Sequence, residues 1–361
     1  MFRLHFFKLS TTVILLMILT ASAPLLIPAY AADKPKRSSF TYKKYKEHEE
    51  YRKALHWRMN SVYKTILDYM DDDRTLPIPG LVRTYSSASG KGRLSKQFIP
   101  QGICRAERYW LVTGYDGDKK CMTVIYVVDP ERKKLITTIA LPNKYHAGGI
   151  AFDGENIWIT GDTSDKYKDD PFLQYIRYED FVSMLDKPLH IMSDDDISEP
   201  VYIKNKPSFL EYDDGTLWVG TYIGKKNTSE AYMYGYKVIR ADEGVRLNTI
   251  FLTVISGLDS SAQGADIEGN NLYVSSSYNG GNMVVKSSFI TRYNIKPIKD
   301  GQQNLSVTSR EVKRVEVPKM NEEILVEDGK IHINFESASE TWKTAVIMTD
   351  RILSLDQDLW N

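Results

Sequence analysis

The chain has 361 residues, of which 42% are hydrophobic and 26% are charged, with 47 basic residues against 47 acidic ones. This composition is typical of a globular protein, because it is too apolar for a disordered chain and too charged for one that crosses a membrane many times. The balanced charge argues against nucleic acid or an anionic membrane surface as the main partner, since both select a basic excess.

The first 31 residues have the organisation of a secretory signal peptide. A basic start without acidic residues precedes the apolar run Val13–Leu19, and Ala29-Tyr30-Ala31 provides a small-x-small cleavage pattern. An uncleaved membrane anchor is the alternative, since residues 9–30 are long enough to span a bilayer. Pro24 and Pro28 favour cleavage, because they would break a spanning helix. We therefore expect a secreted protein, cleaved after Ala31, with no membrane span in its mature form.

Residues 32–80 are predicted to form a polar leader, a helix and a linker. Within about Thr41–Met70, apolar side chains recur at alternating steps of four and three residues, which is the spacing of one helix face. They are Leu55, Met59, Val62, Ile66 and Tyr69. We expect this narrow face to pack on the main body of the protein. Asp71-Asp72-Asp73 and Pro77–Gly80 then end the helix.

From residue 98 onward the sequence repeats one pattern five times. Each unit has an apolar anchor, and an apolar triplet begins seven residues later. The anchors are Ile103, Ile150, Leu210, Ala265 and Ile324, and the triplets begin at Trp110, Ile157, Leu217, Leu272 and Ile331. Tight-turn pairs such as Asp153-Gly154 and Asp214-Gly215 separate anchor from triplet, as in a β-hairpin. The anchors lie 47 to 60 residues apart, the length of a four-stranded propeller blade.

We therefore predict an all-β fold, a five-bladed β-propeller over residues 81–361, preceded by the α-helical arm. Its blades start near residues 98, 145, 205, 261 and 320. A β-sandwich would explain alternating strands but not the recurrence of anchor, turn and triplet. The fifth unit ends near Leu355 with only three strands. Because an open ring leaves an exposed sheet edge, Leu81–Tyr85 is predicted to supply the missing outer strand.

Three runs in these units resemble the blade signature of secreted bacterial propellers. They are Pro100-Gln101-Gly102-Ile103, His146–Ile150 and Gly149–Ile159. The resemblance is to the broad group of NHL-like, strictosidine-synthase-like and lactonase-like propellers, over about residues 81–361. It implies the fold rather than an activity, because the shared residues build the inner hairpin of a blade. The acidic and Asn ligand pattern of calcium-dependent lactonases is missing at matching positions, so no metal ligand is assigned. The sequence does not identify a cofactor. Calcium remains an open alternative, although no motif indicates it.

The channel mouth is the predicted ligand site. In a propeller, the start of each innermost strand and the loop after each second strand lie on one face, around the channel. The innermost strands begin near Gln101, His146, Ser208, Gln263 and Glu322, and the loops carry Tyr115, Asp116, Asp162, Tyr222, Tyr278 and Glu336. Amides, carboxylates and phenols in one funnel suit a polar ligand with hydroxyl groups.

Candidate catalytic residues are His146, Glu322 and Asp266. His146 is followed by Ala147-Gly148-Gly149, whose missing side chains leave room around the ring. Glu322 and Glu323 are adjacent, and because neighbouring strand residues point to opposite faces, at most one is expected to enter the channel. Asp266 lies one residue past its anchor. No Gly-x-Ser-x-Gly or His-Glu-x-x-His motif is found in the sequence.

Two functions remain open from the sequence. The first is a secreted binding module for a polar small molecule, a glycan or an extracellular protein. The alternative is a hydrolase or lyase that acts on a sugar, lactone or phosphate ester, with a channel His or carboxylate as general acid or base. The long stretch Lys166–Glu199, which includes Phe172, Tyr175, Tyr178 and Phe181, is expected to form either a lid over the funnel or a ledge for a partner.

The two cysteines are predicted to be free thiols. Cys104 and Cys121 fall on or beside the first and third strands of one blade, roughly 9.5 Å apart. A disulfide needs Cα atoms within about 7 Å of each other.

Overall fold

The computed structural model describes residues 37–58, 63–161, 170–224, 230–241, 244–250, 252–277, 288–295, 304–308, 310–342 and 347–361. The predicted signal peptide, and Met59 and Val62 of the predicted helix, lie outside this part of the chain. Among the helices of these ranges, none has both the length and the apolar character needed to cross a bilayer.

Three strands precede the first blade: β1 (Leu76–Pro77), β2 (Thr84–Ala88) and β3 (Lys91–Ser95). Blade 1 holds β4 (Phe98–Ala106), β5 (Tyr109–Asp116), β6 (Val124–Asp129) and β7 (Lys134–Ala140). Blade 2 holds β8 (Ile150–Phe152), β9 (Asn156–Thr160), β10 (Phe172–Arg177) and, after β11 (Leu189–Ile191), β12 (Val201–Tyr202). Strand β11 instead pairs in parallel with β7, so it widens blade 1.

Blade 3 holds β13 (Phe209–Asp213), β14 (Thr216–Thr221), β15 (Ala231–Ala241) and β17 (Thr253–Leu258), with β16 (Gly244–Leu247) extending β15 as a hairpin. Blade 4 holds β18 (Ala262–Glu268), β19 (Asn271–Ser276), β20 (Ser288–Asn294) and, after β21 (Asn304–Ser306), β22 (Glu311–Val317). Strand β21 joins the outer edge of blade 3. Blade 5 holds β23 (Asn321–Glu327), β24 (Lys330–Phe335) and β25 (Arg351–Asp356).

The five blades form a closed ring, which confirms the five-bladed propeller. The innermost strands β4, β8, β13, β18 and β23 contact one another in chain order, and the last of them contacts the first. In every blade the anchor pairs with the third residue of its triplet. These pairs are Ile103 with Val112, Ile150 with Ile159, Leu210 with Val219, Ala265 with Val274, and Ile324 with Ile333. The sequence repeat is therefore a repeat of strand register.

The strand that completes blade 5 was predicted at the wrong position. Strand β1 pairs antiparallel with β25, with Leu76 opposite Ile352, so the closing strand lies five residues before the predicted segment Leu81–Tyr85. The second half of that segment belongs to β2, which forms a hairpin with β3 around Ser89 and Gly90. Both turn residues have positive φ, as in the primed turns that suit the twist of a hairpin. Because Thr84 and Tyr85 pair with β3 in this hairpin, the segment Leu81–Tyr85 does not pair with blade 5.

Within its described residues, the N-terminal arm shows two helical segments, α1 (His48–Arg58) and α2 (Lys64–Asp68), in the region where one helix was predicted. As predicted, the arm packs on the main body. Leu55 and Ile66 are fully buried in the cluster that also holds the core of blade 5, whereas Tyr69 is exposed. A third helix, α3 (Tyr178–Ser183), follows β10, and 3₁₀ turns lie at Asp194–Asp196 and Gln357–Trp360.

A buried arginine fixes the arm to blade 5. The Arg351 side chain is fully buried, with its guanidinium carbon 4.3 Å from the ring centroids of both Tyr42 and Tyr51. It donates a hydrogen bond to the Tyr45 carbonyl, and it pairs with Asp350 at 2.9 Å. Asp350, directly before β25, also accepts hydrogen bonds from two backbone N–H groups of the arm. The Arg351–Asp350 ion pair therefore holds the arm and its three tyrosines, Tyr42, Tyr45 and Tyr51, against blade 5.

Glycine lets neighbouring innermost strands approach closely. The residue before the anchor is Gly102, Gly149 or Gly264 in blades 1, 2 and 4. A Cβ on Gly149 would lie 2.5 Å from the Leu210 nitrogen, and one on Gly264 would lie 2.5 Å from the Glu323 Cα. Because these contacts are with backbone, no side chain fits between the strands.

At three of the five blade boundaries, one side chain hydrogen-bonds to the main chain at the start of the neighbouring innermost strand. These bonds come from the residue that follows each apolar triplet. The Thr113 hydroxyl donates to the Ala147 carbonyl at 2.8 Å, and the Ser275 hydroxyl donates to the Glu322 carbonyl at 2.5 Å. The Asn334 amide donates to the Gln101 carbonyl at 2.7 Å, between blades 5 and 1. These bonds hold the starts of the innermost strands in register around the channel mouth.

Replacing Gly264 with Ala is expected to lower the free energy of unfolding by about 1 to 3 kcal/mol, since the new Cβ would force blades 4 and 5 apart. Gly92→Ala is the matched control, because the nearest atom to its added Cβ is a side-chain carbon 3.7 Å away. Urea denaturation of both variants measures the difference. Equal stability of the two variants would contradict this account of the glycine.

Candidate functional site at the channel mouth

Two glutamates form the floor of the channel mouth. Glu322 lies near the start of β23 and Glu336 directly follows β24, so blade 5 supplies both. They are 5% and 8% exposed, and their carboxyl groups are hydrogen-bonded to each other. Gln101 Nε2 donates to Glu336 at 3.4 Å, and Gln263 Nε2 donates to Glu322 at 3.5 Å. Four of the predicted site residues, from blades 1, 4 and 5, are therefore in mutual contact.

The glutamate pair holds a proton near neutral pH. Burial is the main cause that raises the pKa of Glu336, to about 7. Burial and then the charge of Glu336 raise the pKa of Glu322 well above its usual range. Two carboxyl groups in contact in a low-dielectric site cannot both ionise without cost. The pair can therefore donate a hydrogen bond from one oxygen and accept at the others.

Three rings surround this floor. Tyr115 and His146 meet edge to face with their centroids 4.5 Å apart, and Tyr222 lies on the neighbouring blade. All three are half-buried. Burial, followed by the charges of Glu336 and Glu322, raises the pKa of Tyr115, and the same groups raise that of Tyr222. Both phenols therefore stay protonated and carry a hydrogen-bond donor near the carboxyl pair.

The backbone after His146 is strained and closely packed. Ala147 is a buried non-glycine residue with φ of 46°. Gly148 and Gly149 were predicted to leave room around the imidazole, but this is only a minor part of what they do. A Cβ on Gly148 would lie 2.4 Å from the Ser208 carbonyl oxygen, against 3.4 Å from His146 Nδ1. The glycines are needed chiefly because β13 runs directly beside them.

Both adjacent glutamates enter the channel, so the prediction that at most one would do so is wrong. The pairing of β23 with β24 shifts register between Asn321 and Ile324. Such a bulge breaks the strict alternation of side chains on a strand. Glu322 points to the mouth, and Glu323 lies deeper, where its carboxylate faces the N–H groups of three other innermost strands, at Ile150, Leu210 and Ala265.

Glu323 belongs to a second, deeper group of acids. It is 1% exposed, and neither carboxyl oxygen completes a hydrogen bond within the described residues. Glu211, Asp266 and the buried Cys104 thiol lie close enough to interact with it electrostatically. Burial raises the pKa of Glu323 well above its usual range, while the three facing N–H groups lower it. In the ranges that the structure covers, no three His, Cys, Asp or Glu side chains are arranged to hold a metal ion.

Other predicted residues do not join the carboxyl pair. Asp116 is buried and organises its own loop by accepting the N–H groups of Lys120 and Cys121. Asp266 accepts the Val326 N–H at 2.8 Å and belongs to the deeper group. The Ser208 hydroxyl accepts the Tyr222 N–H. Asp162 and Tyr278 lie outside the described residues.

Sequence reasoning missed Trp342 and the deep position of Glu323. Trp342 follows Glu336 in the loop after β24, and its indole N–H stops short of a hydrogen bond but lowers the pKa of that carboxyl. Trp342 lies six residues past Glu336, beyond the positions that recur between the units, so the repeat gave no signal for it. For Glu323, the signal was available. Glu323 directly precedes the anchor of its unit, as Gly102, Gly149 and Gly264 do in theirs, and in those units this residue lies against the neighbouring innermost strand.

Both cysteines are free, as predicted, and the structure also shows that both are buried. Burial raises the pKa of Cys121 to about 11 and that of Cys104 well above its usual value. Neither thiol is therefore a nucleophile near neutral pH.

A Ser–His–Glu arrangement in blade 5 is part of the core. The Ser354 hydroxyl lies 2.7 Å from His332 Nδ1, and His332 Nε2 lies 3.7 Å from Glu327. Ser354 is fully buried and its hydroxyl donates to the Arg74 carbonyl, so no substrate reaches it. Burial lowers the pKa of His332 to about 3, which keeps the ring neutral.

In the described part of the stretch 166–199, which begins at residue 170, the four aromatic residues singled out above do not form a lid over the mouth. Phe172 and Phe181 are buried in the blades, and Tyr175 and Tyr178 line a cleft of about 450 Å³ that also includes Gly154, at the turn between β8 and β9. That turn lies on the face opposite the mouth. The arginines of this cleft are already paired, Arg177 with Glu179 and Arg240 with Glu155.

No family model and no curated protein matches the chain. Among solved structures, the chain is similar to the crystal structure of Myxococcus xanthus glutaminyl cyclase, with 13% sequence identity and a TM-score of 0.40. The match covers 78% of this chain and 96% of that one.

The pKa of Glu336 predicts how stability depends on pH. Its folded pKa is about 7 against the ordinary value of 4.5, so the unfolded chain ionises first and the free energy of unfolding falls as pH rises between these values. In Glu336→Gln this loss is absent, and the variant should gain about 1 to 3 kcal/mol on wild type between pH 4.5 and 7.5. Urea titrations at both pH values measure the gain, with the exposed Glu49→Gln as control. A gain that does not change with pH would contradict the prediction.

Proposed function

We propose that the protein is a binding protein whose channel mouth holds a small polar molecule bearing hydroxyl or amino groups. The observation that carries the proposal is the contact between Glu322, Glu336, Gln101 and Gln263 on one floor. These residues are separated by up to 235 positions in the chain, and the propeller brings them together.

The chemistry of the floor supports this class of ligand. Carboxyl oxygens and amide oxygens accept hydrogen bonds from hydroxyl or amino groups, and the shared proton and amide nitrogens donate to ring or hydroxyl oxygens. Tyr115 and Tyr222 add phenol groups and aromatic surface that suits the apolar face of a sugar-like ring. Since the two glutamates are less than a tenth exposed, only a narrow group reaches them. This favours a small molecule, or the terminal unit of a glycan, over a flat protein surface.

A thermal-shift screen of monosaccharides, amino sugars, polyols and free amino acids tests the proposal. We expect at least one class to raise the melting temperature of the wild type and to lose that effect in the double variant Glu322→Gln, Glu336→Gln. Arg177→Ala, in the cleft on the opposite face, is the control and should keep the effect. The proposal fails if every class leaves the wild type unchanged, or if the double variant responds equally.

A second candidate function is a hydrolase or lyase, and the pKa of about 7 at Glu336 is what favours it. A general acid or base is most effective when its pKa lies near the working pH. If a panel of nitrophenyl glycosides, lactones and phosphate esters shows turnover, Glu336→Gln should abolish it. Persistent turnover in Glu336→Gln, with loss in His146→Ala, would assign the chemistry to the imidazole instead.

We further propose that the chain is exported and that signal peptidase removes residues 1–31. The basic start, the apolar run and the Ala29-Tyr30-Ala31 pattern support this. Intact mass measurement of protein recovered from the culture medium should give a chain that begins at Ala32. Recovery of the full-length chain in the membrane fraction would show an uncleaved anchor.

A further inference from the structure

The hairpin β2–β3 stands outside the five blades and lies along the channel-mouth side of blade 1. Met122 N–H donates to the Ser87 carbonyl, and the Ser86 hydroxyl donates to the Met122 carbonyl at 2.6 Å. The Ser95 hydroxyl donates to Asp116, and Gly117 N–H donates to the Gln97 carbonyl. The hairpin is therefore fixed to the loop that follows β5, on the face that carries the site.

Five exposed cations share this region, and we name them the cationic rim. They are Lys91, Arg93, Lys96, Lys119 and Lys144. Lys91 and Arg93 lie on one face of β3, about 7 Å apart. The charges of Arg93 and Lys144 both reach Cys121 in the adjoining loop, which places the loop cations beside the hairpin.

The cationic rim has no acidic partners of its own. Within the described residues, none of its five side chains forms an ion pair or a hydrogen bond. Of the two nearby acids, Asp118 in the loop after β5 pairs with Lys120, and Asp116 at the end of β5 is buried against backbone N–H groups. Elsewhere arginines are commonly paired, as Arg105 is with Glu327 and Arg314 with Asp259. In a chain of zero net charge, this is a strong local imbalance.

We propose that the cationic rim binds a linear polyanion, a polymer that carries a phosphate or carboxylate group in each repeat. A row of exposed cations without a buried donor does not hold one small anion in a fixed place, but it matches charges repeated along a chain. Strand β3 has no aromatic side chain on which nucleic acid bases would stack, and Leu94 is its one apolar residue, too little to enter a lipid surface.

Biolayer interferometry with immobilised polygalacturonate and immobilised long-chain polyphosphate tests the inference. The triple variant Lys91→Ser, Arg93→Ser, Lys96→Ser should weaken binding to the preferred polymer at least tenfold and flatten its dependence on salt. The control Lys134→Ser, Lys187→Ser, Lys206→Ser removes the same number of exposed cations from scattered positions, and should stay within twofold of wild type. Melting temperatures of both variants check that they fold.

Binding to either polymer supports the inference and shows whether phosphate or carboxylate is the preferred charge. The inference is overturned if neither polymer binds, if both triple variants lose the same affinity, or if duplex DNA or phosphatidylserine vesicles bind more tightly than both polymers. The double variant Glu322→Gln, Glu336→Gln should bind the polymer like wild type. A failure of the polymer-binding inference can therefore be distinguished from a failure of the channel-mouth proposal.

Discussion

The close approach of five innermost strands at one axis is the constraint on which the rest of the structure depends. Gly149 and Gly264 bring backbone against backbone, at distances where even a Cβ would lie 2.5 Å from its neighbour. Thr113, Ser275 and Asn334 then hold adjacent blades with hydrogen bonds to main-chain carbonyls. The start of each innermost strand is thus positioned by backbone contacts. A side chain placed there is held rigidly, which is the condition for a preorganised site.

A narrow channel also determines the electrostatics. Carboxyl groups that enter it lose water and face one another, so burial is the first cause of the raised pKa of Glu322, Glu323 and Glu336. In water such groups would repel weakly and remain ionised, whereas here protons are retained. The two levels differ in their partners. The mouth pair has amide donors from Gln101 and Gln263, while Glu323 faces main-chain N–H groups and the acids of the deeper group.

The repeat predicted the architecture because blade register is a local property. The anchor and the third triplet residue pair in all five blades through one short hairpin, so ten consecutive residues carry the signal. The closing strand was not predictable in the same way. Leu81–Tyr85 has a more strand-like sequence than Leu76–Pro77. Its second half nevertheless pairs with β3 in the hairpin that turns at Ser89-Gly90, and Leu76–Pro77 pairs with β25 instead. The positions of the strand ends were enough to predict the channel mouth. The depth of Glu323, however, depends on a β-bulge in β23, and a sequence interpretation that assumes regular alternation of side chains along a strand does not include such a bulge.

The arm and the hairpin show how a symmetric ring acquires unique surfaces. A propeller of five similar blades offers five similar edges, and the segment before β4 covers two of them differently. Its first part closes blade 5 and is held by Arg351, a fully buried cation surrounded by tyrosines of the arm. Its second part, β2–β3, brings unpaired cations to blade 1, next to a mouth whose floor is acidic. Since the cations are exposed and the acids are buried, solvent screens their attraction, and each surface can select its own ligand.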